Sequence, residues 1–300
     1  MASGTADTAE FAASGDQQKA TARVEVEVAG ISDAGNVRPN NEDHFLVVRF
    51  GRSLECLQTN LPAGQVPARF QDVGYAMAVA DGMGGHAAGE EASRHALAML
   101  VKLVVMTPDW IFRVDDPAFA EEVMRRASER FERIDHALVQ EAEADPGLYG
   151  FGTTMTLAAN IVKDLFVAHI GDSRAYLFRG GKLHQLTRDH TLVRELCEAG
   201  IITQAQAATH HLRHALTRHL GGQKGAKPDV HRVALDDGDC LLLCSDGLTE
   251  MVPNERISAL LADGEPSEKT CQRLIDGALA AGGKDNVTVV VARYKVSQCG

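Results

Sequence analysis

Aspartate recurs in this chain at the ends of apolar, strand-like runs, each time beside glycine or another small residue. The run GYAMAVA (74–80) ends on Asp81-Gly82-Met83-Gly84-Gly85-His86, and His169-Ile170-Gly171 leads into Asp172-Ser173-Arg174. Cys244-Ser245-Asp246-Gly247-Leu248 closes another apolar run, and Gly282-Gly283-Lys284-Asp285-Asn286 opens the last one. A fifth patch, residues 32–43, carries Arg38, Glu42 and Asp43. Aspartate is a poor strand residue and costly to bury alone. Carboxylates that converge at strand ends repel one another unless a cation sits among them. Hard oxygen donors favour magnesium or manganese over zinc. Glycine lets the backbone come close enough for a carbonyl to join the donors. A single Asp-Gly pair is an ordinary turn former; five such patches in this strand context carry the reading.

The elements between the patches define the fold class. Residues 23–31, 43–50 and 74–80 read as strands, with a long loop over 51–73 marked by Gly51, Pro62, Gly64 and Pro67. Helical spacing predicts helices over 89–106 and 117–143. Strands are expected over 153–160 and 164–170, then a tight hairpin of 174–179 and 182–187 across Gly180-Gly181. A mixed, histidine-rich stretch covers 188–228, followed by strands over 231–235 and 240–244, helices over 253–262 and 267–281, and a closing strand over 286–294. That order predicts an α+β domain over 23–296 with helices packed outside sheets, without internal repeats. Residues 1–22 and 297–300 are expected to be tails, the first disordered.

Bulk properties narrow the function. The net charge of −11 argues against a general nucleic-acid binder and makes divalent cations the natural partners. Hydrophobic content of 45% supports a packed core. The most apolar stretch, 97–106, is too short to span a bilayer and carries Lys102. The N-terminus has no basic start and no apolar core of a secretory signal. Six cysteines match no zinc spacing and read as free thiols suited to a reducing cytoplasm. His190, His210, His211, His214 and His219 invite a metal reading, but no acidic partner in the sequence completes a zinc set, so substrate contact or helix capping is expected of them.

The chain resembles the metal-dependent protein phosphatases of type 2C in their bacterial form. The matching stretches are Arg38…Glu42-Asp43, ADGMGGHAAGE (80–90), FGTTMT (151–156), HIGDSRAYLFRGGKLHQLTRDHTLV (169–193), LLLCSDGLTEMV (241–252) and GGKDNVTVVV (282–291), and the resemblance spans residues 28–295. It implies a two-sheet antiparallel β-sandwich flanked by helix pairs, with a flap subdomain within 188–228. It also implies two core Mn2+ or Mg2+ ions and a third beside them. Asp81 would bridge the two core ions, the Gly82 carbonyl would ligate one, and Asp246 and Asp285 the other. Glu42 and Asp43 would act through bound waters, Asp172 with Asp246 would hold the third ion, and Arg38 would grip the substrate phosphate in a fork. The implied reaction is hydrolysis of phosphoserine and phosphothreonine on proteins by a hydroxide activated between the ions. The implied partners are phosphoproteins, among them a serine/threonine kinase or a forkhead-associated protein. No nucleic-acid or membrane partner is implied, and the protein is expected to be monomeric. Met83 stands where many eukaryotic members carry a histidine proposed as general acid, which leaves a water on the third ion or His86 as proton donor. A phosphoprotein-binding pseudophosphatase is the alternative of a different class; the intact acidic positions argue against it. A second alternative is a related phosphatase acting on anti-sigma-factor antagonists. Members of that group usually lack the full Arg38 and Gly-Asp-Ser-Arg pattern that this chain carries.

Overall fold

The computed structural model describes residues 23–62, 65, 68–84, 87–106, 118–148, 150–222 and 225–297. Two antiparallel sheets lie face to face. One contains β1 (Arg23–Asp33), β11 (Val287–Ser297), β10 (Cys240–Cys244), β7 (Arg174–Arg179) and β8 (Lys182–Gln185), in that order across the sheet. The other runs β2 (Asp43–Glu55), β3 (Arg69–Met83), β5 (Met155–Ile161), β6 (Asp164–Ile170), β9 (Asp229–Ala234), with the short β4 (Gly152–Thr153) paired to the end of β3.

Strand alternation builds three apolar layers. Met77 and Val79 of β3 face Leu241 and Leu243 of β10 and Val290 of β11, forming the layer between the sheets. Ala78 and Ala80 point the other way, onto α1 (Ala87–Met106) and α2 (Phe119–Ala144). Small alanines there let Ala92 and Ala96 of α1 approach closely, while Phe131, Ile134 and Leu138 of α2 fill the remaining space. On the far side, Leu242 of β10 and Val289 and Val291 of β11 pack against α6 (Asn254–Ala262) and α7 (Ser267–Ala280). The order of layers is therefore helix pair, sheet, sheet, helix pair, as expected. Helix α2 shows the cause plainly: its buried Val123, Ala127, Phe131, Ile134 and Leu138 recur every three or four residues.

The 51–73 loop expectation is corrected. β2 and β3 pair continuously from Asp43↔Asp81 to Glu55↔Arg69, and Cys56 N–H donates to the Ala68 carbonyl at 3.0 Å, so the connection is only 56–68. Gly51 sits inside the ladder opposite Val73 instead of ending it. A glycine within an antiparallel ladder keeps both backbone hydrogen-bonding groups, so it weakens the strand without breaking it. The hairpin of β7 and β8 turns at Gly180 and Gly181, both with positive φ (56° and 76°), as its turn requires. Ser297, assigned from sequence to the tail, is the last residue of β11, while 1–22 and 298–300 lie outside the described residues.

Candidate active site

All the aspartates singled out from sequence reach one end of the sandwich. β2 starts at Asp43 where β3 passes Asp81, so the two are direct cross-strand partners. Asp246 opens the short α5 (Asp246–Thr249) just after β10, Asp172 lies between β6 and β7, and Asp285 precedes β11. Each strand end delivers one carboxylate because the sheets are antiparallel and registered, which places these ends together.

Asp81 is held by its backbone. Its N–H donates to Thr154 Oγ1 at 3.1 Å, and its carbonyl accepts from Thr154 N–H at 2.9 Å and Thr153 Oγ1 at 2.8 Å. Thr154 Oγ1 also lies 2.8 Å from Ser173 Oγ, which ties the Asp81 strand to the residue after Asp172. Gly82 follows because nothing larger fits: a Cβ there would stand 2.0 Å from the Gly89 carbonyl oxygen and 2.8 Å from that of Glu42. Its N–H donates to the Glu42 carbonyl at 3.1 Å.

Asn286 organises the 34–42 segment. Its Nδ2 donates to the carbonyls of Ala34 (2.9 Å) and Asn40 (2.8 Å), and its Oδ1 accepts from Glu42 N–H at 2.9 Å. The same segment carries Arg38 to the rim, where its guanidinium donates to Asp285 Oδ2 at 2.6 Å and stays 55% exposed. Asp43 is buried; one oxygen accepts from Ser245 Oγ at 2.6 Å, and Ser245 Oγ in turn accepts from Thr288 N–H.

The Asp172 turn is clamped from both sides. Gly171 N–H donates to His190 Nδ1 at 3.1 Å, and His190 N–H donates back to the Gly171 carbonyl at 2.8 Å. The other ring nitrogen, Nε2, lies 3.1 Å from Asp229 Oδ2, so the imidazole is neutral, accepts at Nδ1 and carries its proton on Nε2. Arg174 forks onto Asp189 at 2.9 and 2.6 Å. Gly171 adopts φ +108°, and a Cβ would meet Thr154 at 2.5 Å.

The cluster behaves as one electrostatic unit. Burial, then repulsion from Asp43, Asp246, Asp172 and Asp285, holds the Asp81 carboxyl well above the usual range. Asp246 is raised likewise by burial, then by Asp172, Glu250, Asp285 and Asp43. Burial pushes Asp43 up to about 6, and burial with repulsion from Asp189 pushes Asp172 up to about 7. Asp43 Oδ1 is buried with no hydrogen-bond partner among the described residues. Converging carboxylates with an orphaned buried oxygen, lying beside close-packed backbone at Gly82, fit a site for divalent cations.

Sequence reasoning gave no role to Thr153, Thr154, Asn286 or Ser245, although they stand inside the motifs quoted above. His190 is fully buried and structural. His214 does have acidic neighbours, Glu250 and Asp246, contrary to the expectation that none exists. They come from a distant part of the chain, where linear spacing cannot show them. His86 lies outside the described residues.

Comparison with known proteins agrees with this fold. The family model described as protein phosphatase 2C matches residues 56–287. Serine/threonine protein phosphatase PstP of Mycobacterium tuberculosis is 40% identical over 264 residues, covering 88% of this chain and 44% of that protein, so the chain spans less than half of that relative. Protein phosphatase PhpP of Streptococcus pneumoniae is 33% identical over 89% of this chain and 96% of its own length. The crystal structure of the PstP catalytic domain in complex with two manganese ions superposes with a TM-score of 0.70 at 34% identity, over 91% of this chain and all of that one. The chain belongs to the protein phosphatase 2C family of metal-dependent serine/threonine protein phosphatases.

Proposed function

We propose that this chain hydrolyses phosphoserine and phosphothreonine esters on proteins at the aspartate end of the sandwich, with Mn2+ or Mg2+ held there. The observation that carries the reading is the convergence of Asp43, Asp81, Asp172, Asp246 and Asp285 around a buried, unpartnered carboxylate oxygen. Asp81 and the Gly82 carbonyl, with Asp246 and Asp285, would hold the two core ions; Glu42 and Asp43 would support them through water, and Asp172 with Asp246 would hold a third. When bound, such ions lower the pKa of water towards about 7 and neutralise charge on the transferring phosphoryl group.

The chain's own residues supply the rest. Arg38 at the rim presents a planar fork to the phosphate oxygens. Thr153 and Thr154 fix the Asp81 backbone, so the carboxylate does not have to be ordered at the moment of reaction. Asn286 fixes the segment that carries Arg38 and Glu42. The Ser245 hydroxyl orients Asp43 so that only one of its oxygens remains for the cluster. We place the protein in the cytoplasm, as a counterpart of a serine/threonine kinase or of a forkhead-associated protein. Free cysteines, with Cys240, Cys244 and Cys271 buried, support a reducing compartment, and no helix among the described residues is long and apolar enough to cross a membrane.

The test is hydrolysis of a phosphothreonine peptide with manganese or magnesium. Activity should vanish in excess chelator and in Asp81→Asn. Full turnover under either condition would refute the reading.

A further inference from the structure

His214 follows α3 (Leu192–Glu198) and α4 (Gln204–Ala208) and precedes β9, far in sequence from α5. Its Nδ1 nevertheless lies 3.0 Å from Glu250 Oε1 and 3.8 Å from Asp246 Oδ2. Among the described residues, this trio is the group of histidine, cysteine and carboxylate side chains whose donor atoms all lie within 4.8 Å of one another. Asp246 opens α5 and Glu250 caps its other end, four residues on, so one helical turn presents both carboxylates on the same face. The backbone beside His214 is fixed as well: the Ala215 carbonyl accepts from Leu192 N–H at 2.8 Å, and Leu216 bridges to Thr191. The imidazole therefore meets the two carboxylates from a braced segment.

The donor chemistry differs from that of the main cluster. The main cluster offers oxygen only, which suits magnesium and manganese. One imidazole nitrogen with two carboxylates is the kind of set that suits zinc and other divalent transition ions, which bind nitrogen well, whereas magnesium prefers oxygen. All three side chains are partly open, at 46% for His214, 21% for Asp246 and 30% for Glu250, so an ion can reach the site and keep water in its remaining positions.

We propose that His214, Asp246 and Glu250 form a divalent metal site that prefers zinc over magnesium and joins the 188–228 segment to α5. The proposal rests on the functional reading above only in that Asp246 is shared. Zinc held here stitches the His214 segment to α5 more firmly than the imidazole–carboxylate contact does alone.

The test is calorimetric titration of zinc chloride into the full chain in excess magnesium, which competes at the oxygen sites, the shared Asp246 among them. The wild type should bind a single tight equivalent of zinc, and the His214 ring resonances should shift on binding. His214→Ala and Glu250→Gln should each weaken that equivalent by at least about tenfold, the scale seen when groups supporting a metal ligand are removed. Replacing the stacked, neighbouring His210 and His211 by alanine should leave it in place. Asp81→Asn should keep the zinc equivalent while losing phosphopeptide turnover, so the two readings fail separately. Absence of the equivalent in folded wild type, its survival in His214→Ala, or its loss with His210 and His211 would overturn the proposal.

Discussion

Replacing Asp43 by asparagine should change how the stability of the metal-free protein depends on pH, in a direction opposite to the usual carboxylate case. Burial raises Asp43 from an ordinary value of 3.8 to about 6. A carboxyl whose folded pKa lies above its unfolded value holds its proton more tightly in the native state. Its contribution is most favourable below about pH 4 and is lost as pH rises through about 6. Raising the pKa from 3.8 to about 6, at 1.36 kcal/mol per pH unit, gives up to about 3 kcal/mol as the full span. An asparagine side chain cannot ionise, so Asp43→Asn removes that slope. The substitution also leaves an amide at the unpartnered Oδ1 position, which costs about 1–3 kcal/mol but does so at every pH. The quantity to read is therefore the stability difference, variant minus wild type, from chemical denaturation in chelator across pH 4–7. It should rise with pH by up to about 3 kcal/mol and level off near neutrality. Saturating manganese should abolish or invert the rise, because the ion binds the ionised wild-type carboxylate cluster. A difference that stays flat with pH in chelator would show that Asp43 ionises freely in the folded protein.

Other expectations follow from the same geometry. Arg38→Ala should lower kcat/KM for a phosphopeptide by about 10–100-fold, mostly through KM, with Arg38→Lys rescuing only in part; unchanged KM would place the phosphate grip elsewhere. Thr154→Val should cost about 1–3 kcal/mol in denaturation and lower turnover, because the Asp81 N–H and Ser173 hydroxyl lose their partner, and Thr154→Ser should restore both. Shortening the 56–68 connection should leave p-nitrophenyl phosphate turnover intact, since the thirteen residues of β2 put it about 40 Å from Asp43. Asp172→Ala should lose far more activity on phosphothreonine peptide than on p-nitrophenyl phosphate, by about 10²–10⁴-fold, if water on a third ion protonates the poor leaving group; equal losses would discard that donor.

Strand ends, helix pairs and the five acidic patches were legible in the sequence because each rests on local pattern. Short apolar runs bounded by turn residues mark β6 and β7 to the residue, and three-to-four spacing marks α2. What stayed hidden depends on contacts between distant segments. Thr154 is one threonine in a run that reads as an ordinary strand start, yet it carries the Asp81 N–H from 73 residues away. Asn286 looks like part of a turn, yet it holds three backbone groups of the 34–42 segment. His190 and His214 stand in one histidine-rich stretch and have opposite fates. One is sealed between Gly171 and Asp229, the other meets Glu250 at the surface, and nothing in their spacing separates them. The overlong loop has a different cause: its glycines and prolines read as breaks, whereas Gly51 continues the ladder and Gly64 and both prolines fall within the 56–68 connection.

The acidic end also explains why so many neutral side chains are committed to it. A carboxylate left mobile among four others would swing towards water and lower the repulsion, and the constellation would scatter. Here the freedom is removed through groups that bring little charge of their own. Two threonines fix the Asp81 backbone, Ser245 takes one oxygen of Asp43, the Asn286 amide sets the Glu42 segment, and a neutral His190 clamps the Asp172 turn. A lysine or arginine at any of these places would satisfy a carboxylate directly and compete with a metal ion for it. Arg38 does reach the cluster, but from the rim, on Oδ2 of the partly exposed Asp285. The negative potential is thus preserved at the buried centre, where a divalent ion gains most from it, while the positive charge waits at the edge, where a phosphate would arrive.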